Sequence, residues 1–493
     1  MITKTFSFVR KFFFPVKTTE ISLLIKLGVL LFCVLFNFSS LRALKDSLVI
    51  PLIGAEAIGF LKLWLVLPTA LLFTLTYFKL SNQFNLHALF NIFAGFFVTF
   101  FLCFAFFIYP NQDLYHLSDQ SAYQLIQQLP YLKWFIKLRA KWSYVFVYIF
   151  AEIWGAMIIN LMFWQLANSI FKTSQAKRLY PMLTLMGSIG LICAGQTLIF
   201  CGKAENLSSL SFLSATENYT EISIKMLVML VAFSGIVAMG LFSHIYSYCM
   251  SHHISYNFTP QAPKSSLNIQ ESVKLIFHSK YILYIFILVV AYGMSINILE
   301  GPWKAKLGKM YNTPNSYIQF MGNFNTWMGI SSVVVNLISS SILRFLGWTI
   351  SAYLTPIIIG TTGTIFFTFI VFEKYLALSF DTTFMAIMVG ATQNILSKSS
   401  KYSLFDATKE MAYIPLSPEL KTKGKATVEI LGTKIGKSLV SMIHFVAFTI
   451  PGISFENIYP FLMMIFLFII IIWLIDVRKI NQQYKALINE KSR

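Results

Sequence analysis

The segment Gln393–Ser438, QNILSKSSKYSLFDATKEMAYIPLSPELKTKGKATVEILGTKIGKS, lies between two apolar runs that are each long enough to cross a lipid bilayer. It is the least membrane-like stretch of the chain, and its first and last residues extend into the flanking runs. It carries lysines at positions 398, 401, 409, 421, 423, 425, 434 and 437. Lysines that enter a membrane domain from both sides need an anionic partner, and this pattern points to a polyanion that crosses the membrane.

The composition is that of a protein with many membrane spans. Of the 493 residues, 56% are hydrophobic and 12% are charged, whereas soluble domains carry about twice that charged fraction. The formal net charge is +19, but basic residues accumulate in the cytoplasmic loops of membrane proteins whatever they bind. Topology and an anionic substrate together account for the excess, and we expect no nucleic acid partner.

Cysteine and histidine form no metal or disulfide pattern in the sequence. The five cysteines lie in or beside apolar runs, and none belongs to a CxxC pair. The seven histidines are scattered, and the adjacent pair His252–His253 has the wrong spacing for ligation from one helix face. We therefore expect no metal site and no cofactor.

Twelve apolar segments have about the length that a helix needs to cross a bilayer. They predict an all-α polytopic membrane protein of two six-helix halves, similar to the major facilitator architecture, in which substrate is held between the halves. The segments are 21–41, 57–78, 86–109, 143–167, 180–201, 223–248, 281–300, 317–344, 349–372, 376–397, 427–450 and 457–476.

The predicted organisation is an arm at 1–20, halves at 21–248 and 281–477, a loop between them at 249–280, and a tail at 478–493. An even number of spans places both termini on one side of the membrane. Most of the basic loops share that side, so the positive-inside rule makes it cytoplasmic.

Some basic residues depart from this simple pattern. The segment KWFIKLRAK at 133–141 falls on the opposite side and is typical of a helix that lies on the membrane surface. Lys304, Lys306 and Lys309 fall on the opposite side as well. Lys62 lies near the end of its span, from which we expect it to reach water.

Four charges lie within predicted spans or at their ends, where a charge is costly and functional by default. Lys45 closes the first span, where pairing with Asp46 at a plain helix end is the alternative explanation. Glu152 has no basic residue within ten positions in YVFVYIFAEIWGAMIINLMFW. Glu300 ends the seventh span, where an interfacial charge near Lys304 is the alternative. Lys437 lies about three turns into the eleventh, from which its side chain reaches water only if a cavity is present.

In a two-half bundle of this kind, the first, fourth, seventh and tenth spans line a central cavity. Lys45, Glu152 and Glu300 fall on the first, fourth and seventh spans, and Lys398 and Lys401 lie at the end of the tenth. We therefore expect these side chains to face one another across the cavity.

The sequence GTKIGKS at 432–438 invites comparison with a phosphate-binding loop. That motif requires a glycine five residues before the Gly-Lys pair, and Leu431 occupies this position. No strand precedes it either, so the motif is not a phosphate-binding loop. A lysine on a helix can still bind phosphate as a point charge.

Four motifs, in this order, resemble the nucleotide transporter family of plastids and obligate intracellular bacteria, the ATP/ADP translocases, and most of all its rickettsia-type members. The motifs are LRALKDSLVIPLIGAEAIGFLKLWLVLP, AEIWGAMIINLMFWQLAN, YGMSINILEGPWKAKL and KYSLFDATKEMAYIPLSPELKTKGKATVEILGTKIGKS. The family often has GKSGG, whereas Leu439 and Val440 follow Ser438 here. This difference bears on the identity of the substrate more than on transport.

The resemblance implies that the protein exchanges host ATP for bacterial ADP across the inner membrane and is not an enzyme. The four charges on which the family depends match Lys45, Glu152, Glu300 and Lys437. We assign Lys45, Lys437 and Lys401 to the binding of substrate phosphates, and Glu152 and Glu300 to charge pairs that gate the cavity. We expect a monomer.

Two alternatives stay open at this point. The first is an exchanger of another nucleotide, such as GTP/GDP or pyrimidine nucleotides, because nothing in the sequence separates the bases. The second is a membrane enzyme that acts on lipid-linked phosphates. Its polar residues would be Asp113, His116 and Asp119 in the loop at 110–131, although they form no tight catalytic pair in the sequence.

Overall fold

A computed structural model describes residues 18–171, 173–203, 206, 218–251, 279–373, 381–416 and 424–492. These residues form helices and turns, and none of them lies in a β-strand. Nine helices within these ranges are long and apolar enough to span a membrane. Three further helices complete a bundle of twelve. One of them is continuous with its neighbour, and the other two are less apolar. The all-α polytopic fold is confirmed, while most of the loop at 249–280 lies outside the described residues.

We number the twelve long helices in chain order. The first half contains α1 (Thr18–Val49), α2 (Ala57–Ser81), α3 (Leu86–Ile108), α4 (Trp142–Ile170), α5 (Thr173–Gly202) and α6 (Tyr219–Ser251). The second half contains α7 (Lys280–Met310), α8 (314–346), α9 (Gly347–Val371), α10 (Thr382–Ser400, continued by Lys401–Phe405 and Asp406–Ala412), α11 (Lys425–Thr427, Val428–Gly432 and Thr433–Thr449) and α12 (Phe455–Ser492).

Helix boundaries depart most from the prediction where polar residues continue a helix. The first span was expected to end at residue 41, but α1 continues to Val49 because Lys45 and Asp46 are buried inside the bundle. The tenth helix continues through residues that we expected in a cytoplasmic loop and ends at Ala412. Between α8 and α9 the chain bends at Gly347, whose φ of 72° suits glycine.

Several membrane helices contain π-helical turns, which carry an extra residue and are frequent at functional sites. Four of these turns contain or closely follow a charged residue: Lys62 lies in the turn of α2, Glu152 lies three residues before that of α4, Lys401 begins that of α10, and Glu429 lies in that of α11. Among the described residues the π-helical stretches are Leu61–Val66, Phe104–Ile108, Gly155–Phe163, Lys401–Phe405 and Val428–Gly432.

The two halves pack against each other at one end of the bundle. With twelve crossings, α1 begins and α12 ends on the same side, which we call the terminal side; the opposite side is the far side. Toward the far side α5 and α8 approach so closely that a Cβ on Gly195 would lie 2.6 Å from the carbonyl oxygen of Gly322. On α2, a Cβ on Gly59 would lie 3.3 Å from the carbonyl oxygen of Ser441 on α11.

Aromatic side chains from both halves meet at the far side. The ring of Phe60 on α2 lies edge-on to Phe445 of α11, with centroids 4.9 Å apart, and edge-on to Phe135 at 5.2 Å. Phe135 belongs to the short helix Lys133–Ala140, which was predicted to lie on the membrane surface. The helix forms, but its Trp134 is only 5% exposed because the helix packs onto the bundle.

Replacing Gly195 with valine should force α5 and α8 apart. The new Cβ would lie 2.6 Å from both the Gly322 carbonyl oxygen and the Thr326 amide nitrogen, and backbone atoms cannot move aside as a side chain can. We expect a loss of about 1–3 kcal/mol in the free energy of unfolding, as for other overpacked sites. Gly240→Val on α6 is the control, since open space surrounds Gly240. Equal thermal midpoints for the two purified variants would contradict the close packing.

Candidate functional site

Lys45 on α1 lies at the centre of a buried group of charges. Its Nζ is 2.6 Å from Asp46 Oδ1, 3.0 Å from Glu152 Oε1 on α4, and 3.9 Å from the centre of the Tyr148 ring. Lys45 is 1% exposed and Asp46 is fully buried. The pair with Asp46 therefore forms, but the alternative of a plain, solvated helix end is wrong. Glu152 finds in Lys45 the basic partner that is absent from its sequence neighbourhood.

Ion pairs continue from α1 across to α7 in the other half. Arg42 donates a hydrogen bond to Glu300, with Nη2 2.7 Å from Oε1. Lys304 Nζ lies 2.9 Å from Asp46 Oδ2 and 3.2 Å from Glu300 Oε1. Asp46 and Glu300 thus each bind two basic groups, and both link the two halves.

Sequence reasoning did not include Arg42 in this group and considered Lys304 only as an interfacial neighbour of Glu300. A signal for Lys304 existed, because it follows Glu300 by four residues and shares its helix face. Lys306 and Lys309, grouped with Lys304 as basic residues on the opposite side, form ion pairs with Glu373 and Glu456. Carboxylate partners thus offset the charge of all three lysines.

Lys62 extends the group to α2. Its Nζ lies 3.4 Å from Asn297 Oδ1 on α7. The side chain lines a cavity between the halves, formed by α2, α7 and α11, together with Glu300 and Lys304. Lys398 on α10 approaches from the other direction, with its Nζ 5.5 Å from the centre of the Phe324 ring. It lies within electrostatic range of Arg42 and Glu300.

This group, which we call the inter-half network, has more positive than negative charges. Five basic side chains lie in or near it with three carboxylates, and neither Lys62 nor Lys398 forms an ion pair among the described residues. Unpaired charge is costly within a membrane, and an anion with several charges would offset it. The members are Arg42, Lys45, Lys62, Lys304 and Lys398 with Asp46, Glu152 and Glu300.

Lys437 shares the face of α11 that lines the cavity, but it does not join the network. Its side chain is exposed, and no ion pair to it occurs within the described ranges. Ser441 and His444, one and two turns further along the same helix face, line the cavity. The exposed apolar residues of α11 lie on the opposite face, at positions 435, 439, 442 and 446. GTKIGKS thus lies on a helix, as its lack of a preceding strand predicted.

Lys401 lies closer to the terminal side, in a different set of ion pairs. Its Nζ is 3.8 Å from Asp406 Oδ2 and 5.9 Å from the centre of the Tyr292 ring. Asp406 also pairs with Lys409, which lies 2.7 Å from Glu429 Oε1 on α11. The structure therefore joins Lys45, Glu152 and Glu300 in one network, places Lys437 on the α11 face that carries Ser441 and His444, and keeps Lys401 apart.

The polar loop considered for an enzyme is attached to the start of α4. His116 Nε2 lies 2.8 Å from Ser143 Oγ, and Asp119 Oδ1 lies 3.2 Å from Lys141 Nζ. Burial, aided by the nearby charge of Lys141, lowers the pKa of His116. These contacts hold the loop on the bundle.

Comparison with known proteins adds to this geometry. The model of a family described as the TLC ATP/ADP transporter matches residues 1–484. The ADP,ATP carrier protein 3 of Rickettsia prowazekii is 48% identical over 489 residues, covering 97% of this chain and 98% of that protein. The ADP,ATP carrier protein 4 of Rickettsia conorii is 38% identical over 496 residues, covering 98% and 96%.

Two solved structures share the fold at low sequence identity. A bacterial homologue of the iron transporter ferroportin, in its inward-facing state, has a TM-score of 0.58 at 12% identity over 94% of this chain and 99% of that one. A POT family transporter has a TM-score of 0.55 at 10% identity, over 93% and 96%. The family match covers nearly the whole chain and describes a transporter, which sets aside the membrane-enzyme alternative. This chain belongs to the TLC family of ATP/ADP transporters.

Proposed function

We propose that this protein exchanges ATP for ADP across the inner membrane of a bacterium that lives inside host cells, importing host ATP and returning bacterial ADP. The observation that carries the proposal is the inter-half network, in which five basic side chains face three carboxylates. A nucleotide polyphosphate offers the missing negative charge, and charge-assisted hydrogen bonds are strong in a partly dehydrated cavity.

In this mechanism Lys45 and Lys437 bind the phosphates from opposite halves. Without nucleotide, Asp46 and Glu152 hold Lys45 at 2.6 and 3.0 Å, and an arriving phosphate competes with Glu152 for it. Lys401, nearer the terminal side, attracts the nucleotide on its way to the cavity. These roles agree with the burial and spacing described above.

Glu300 acts as a gate between the halves. Its partners are Arg42 and Lys304, so the pair that we assign to it is Arg42–Glu300, which joins α1 to α7. This pair and Asp46–Lys304 must separate when the far side opens. Separation of buried ion pairs is strongly unfavourable unless new partners replace the old ones. A bound nucleotide supplies such partners, which explains why a loaded carrier would reorient faster than an empty one.

We infer that the terminal side faces the cytoplasm. Lys401, Lys409, Lys425 and Lys434 lie toward that side, as the positive-inside rule requires for cytoplasmic segments. Both termini are then cytoplasmic, and the halves at 21–248 and 281–477 rock about the cavity. Such a carrier functions as a monomer, because each chain contains both halves.

Uptake of labelled ATP, GTP, CTP and UTP into bacterial cells that express the protein tests this function. We expect ATP uptake well above that of cells with an empty vector, followed by release of the label when unlabelled ADP is added outside. This release indicates exchange, because efflux of the label without exchange would not depend on external ADP.

The other outcomes of the same assay are equally informative. Uptake of GTP or of pyrimidine nucleotides alone would assign the exchanger to another base. Absence of uptake for every nucleotide, with the protein shown in the membrane, would contradict the proposed function.

A further inference from the structure

The cavity between α2, α7 and α11 contains polar groups in addition to the four charges matched to the family. It lies between the two halves toward the far side, and Lys62, Asn297 and His444 contribute polar groups to its lining. Glu300 also lines it, but this carboxylate already pairs with Arg42 and Lys304. The cavity therefore has a positive excess and suits an anion better than a cation.

Lys62 is held in place by a neutral partner. Asn297 Nδ2 donates a hydrogen bond to the carbonyl oxygen of Gly293 at 2.8 Å, which turns its Oδ1 toward the Lys62 ammonium at 3.4 Å. An ammonium has three N–H donors, and this long contact with an amide uses one. Among the described residues, no carboxylate lies within ion-pair distance of Lys62, in contrast to Lys45 and Lys304.

His444 offers a second group in the same cavity. It is 7% exposed, and its Nε2 has no hydrogen-bond partner within the described part of the chain. Buried polar nitrogens are nearly always hydrogen-bonded, so one that lines a cavity points to a missing partner. The ring is kept in position by Phe448 and Phe455, whose centroids lie 5.8 and 5.1 Å away.

The packing of α2 on α11 places Lys62 and Lys437 at a similar depth in the bundle. The two helices contact each other at Gly59, beside Ser441 and His444, and they run in opposite directions. Lys62 follows Gly59 by three residues and Lys437 precedes Ser441 by four. At 1.5 Å per residue both lie roughly one turn, about 5–6 Å, from the contact toward the terminal side. The contact closes the cavity toward the far side, and the remaining space holds about one water molecule, so a phosphate group enters only when the two halves move apart.

We propose that Lys62 and His444 form a subsite for the terminal phosphate of a nucleoside triphosphate, with Asn297 as the positioning residue for Lys62. The proposal rests on the proposed function and refines it. Lys437 and Lys45 bind phosphates that ATP and ADP share, whereas this subsite distinguishes the triphosphate from the diphosphate.

Competition assays with Lys62→Gln test the subsite. Uptake of labelled ADP is measured in expressing cells with increasing unlabelled ATP or ADP, and the half-inhibitory concentration is determined for each. We expect this concentration to rise about tenfold for ATP, as for loss of one hydrogen bond to a charged group, and less than twofold for ADP. Lys79→Gln is the matched control, since it removes an exposed lysine near the other end of the same helix.

A second variant keeps the test independent of how well Lys62→Gln folds. His444→Phe retains an aromatic ring between its neighbours and removes both nitrogens, and we expect about a threefold rise for ATP alone. An equal rise for ATP and ADP, or no change in either variant, would overturn the subsite. Lack of nucleotide uptake by the wild-type protein would instead overturn the proposed function, so the two failures are distinguishable.

Discussion

Replacing Lys45 with alanine is expected to abolish nucleotide exchange and to lower the free energy of unfolding by about 3–5 kcal/mol. The ammonium lies between Asp46 and Glu152, and Lys45 is 1% exposed. Its removal leaves Glu152 without its ion-pair partner and Asp46 with Lys304 alone. A buried charge that loses its partner accounts for most of the expected cost.

Lys26→Ala provides a matched control for this variant. Lys26 is also on α1, and its Nζ lies 4.1 Å from the centre of the Tyr248 ring, much as Lys45 lies over Tyr148. We expect it to retain exchange and most of its stability. Thermal unfolding of the purified variants and exchange in cells are the measurements.

A double variant separates the structural role of Lys45 from its role in transport. Lys45→Ala with Glu152→Ala removes both members of one pair, so it should recover part of the stability without recovering exchange. Wild-type stability of the single variant would show that Lys45 is not held by buried carboxylates.

Replacing Lys437 with alanine is expected to abolish exchange while leaving stability within about 0.5 kcal/mol of the wild-type value. The side chain is exposed and has no carboxylate partner among the described residues, so its removal strands no buried charge. Lys437→Arg should restore exchange only in part, because a planar guanidinium differs in shape and hydration from an ammonium.

Lys425→Ala is the control for Lys437 on the same helix. Lys425 Nζ lies 2.6 Å from Glu410 Oε2 in an exposed ion pair, and such pairs contribute about 0–1 kcal/mol. Membrane expression, thermal unfolding and ADP-dependent release of labelled ATP are measured for all three variants. Wild-type exchange by Lys437→Ala would remove this lysine from the phosphate site.

The sequence predicted the fold well where apolar length decides it. Most of the apolar segments correspond to long helices of the bundle, because a bilayer crossing requires about 20 apolar residues in a hydrogen-bonded helix. The prediction failed where helices continue through charged residues, in SSLRALKD and in Lys401–Ala412. A hydropathy pattern treats such charges as solvated, whereas in the bundle they have partners from other helices.

Individual charged residues of the candidate site could be predicted from the sequence, but their partners on other helices could not. Lys45, Glu152 and Glu300 were identifiable because isolated charges in apolar surroundings are costly. The roles of Lys62 and Lys304 were not, because both resemble ordinary span-end lysines in the sequence. Their partners, Asn297 and Asp46, lie more than 200 positions away along the chain.

The sequence by itself determined that this chain is a twelve-helix membrane protein and which family it belongs to, because local hydrophobicity and contiguous motifs carry that information. Only the tertiary structure decided which charges meet. Glu300 pairs with Arg42 and Lys304, and Lys62 lines the cavity between the halves. The physical reason is that an ion pair depends on distances of a few ångströms between helices, and the packing of the two halves sets those distances.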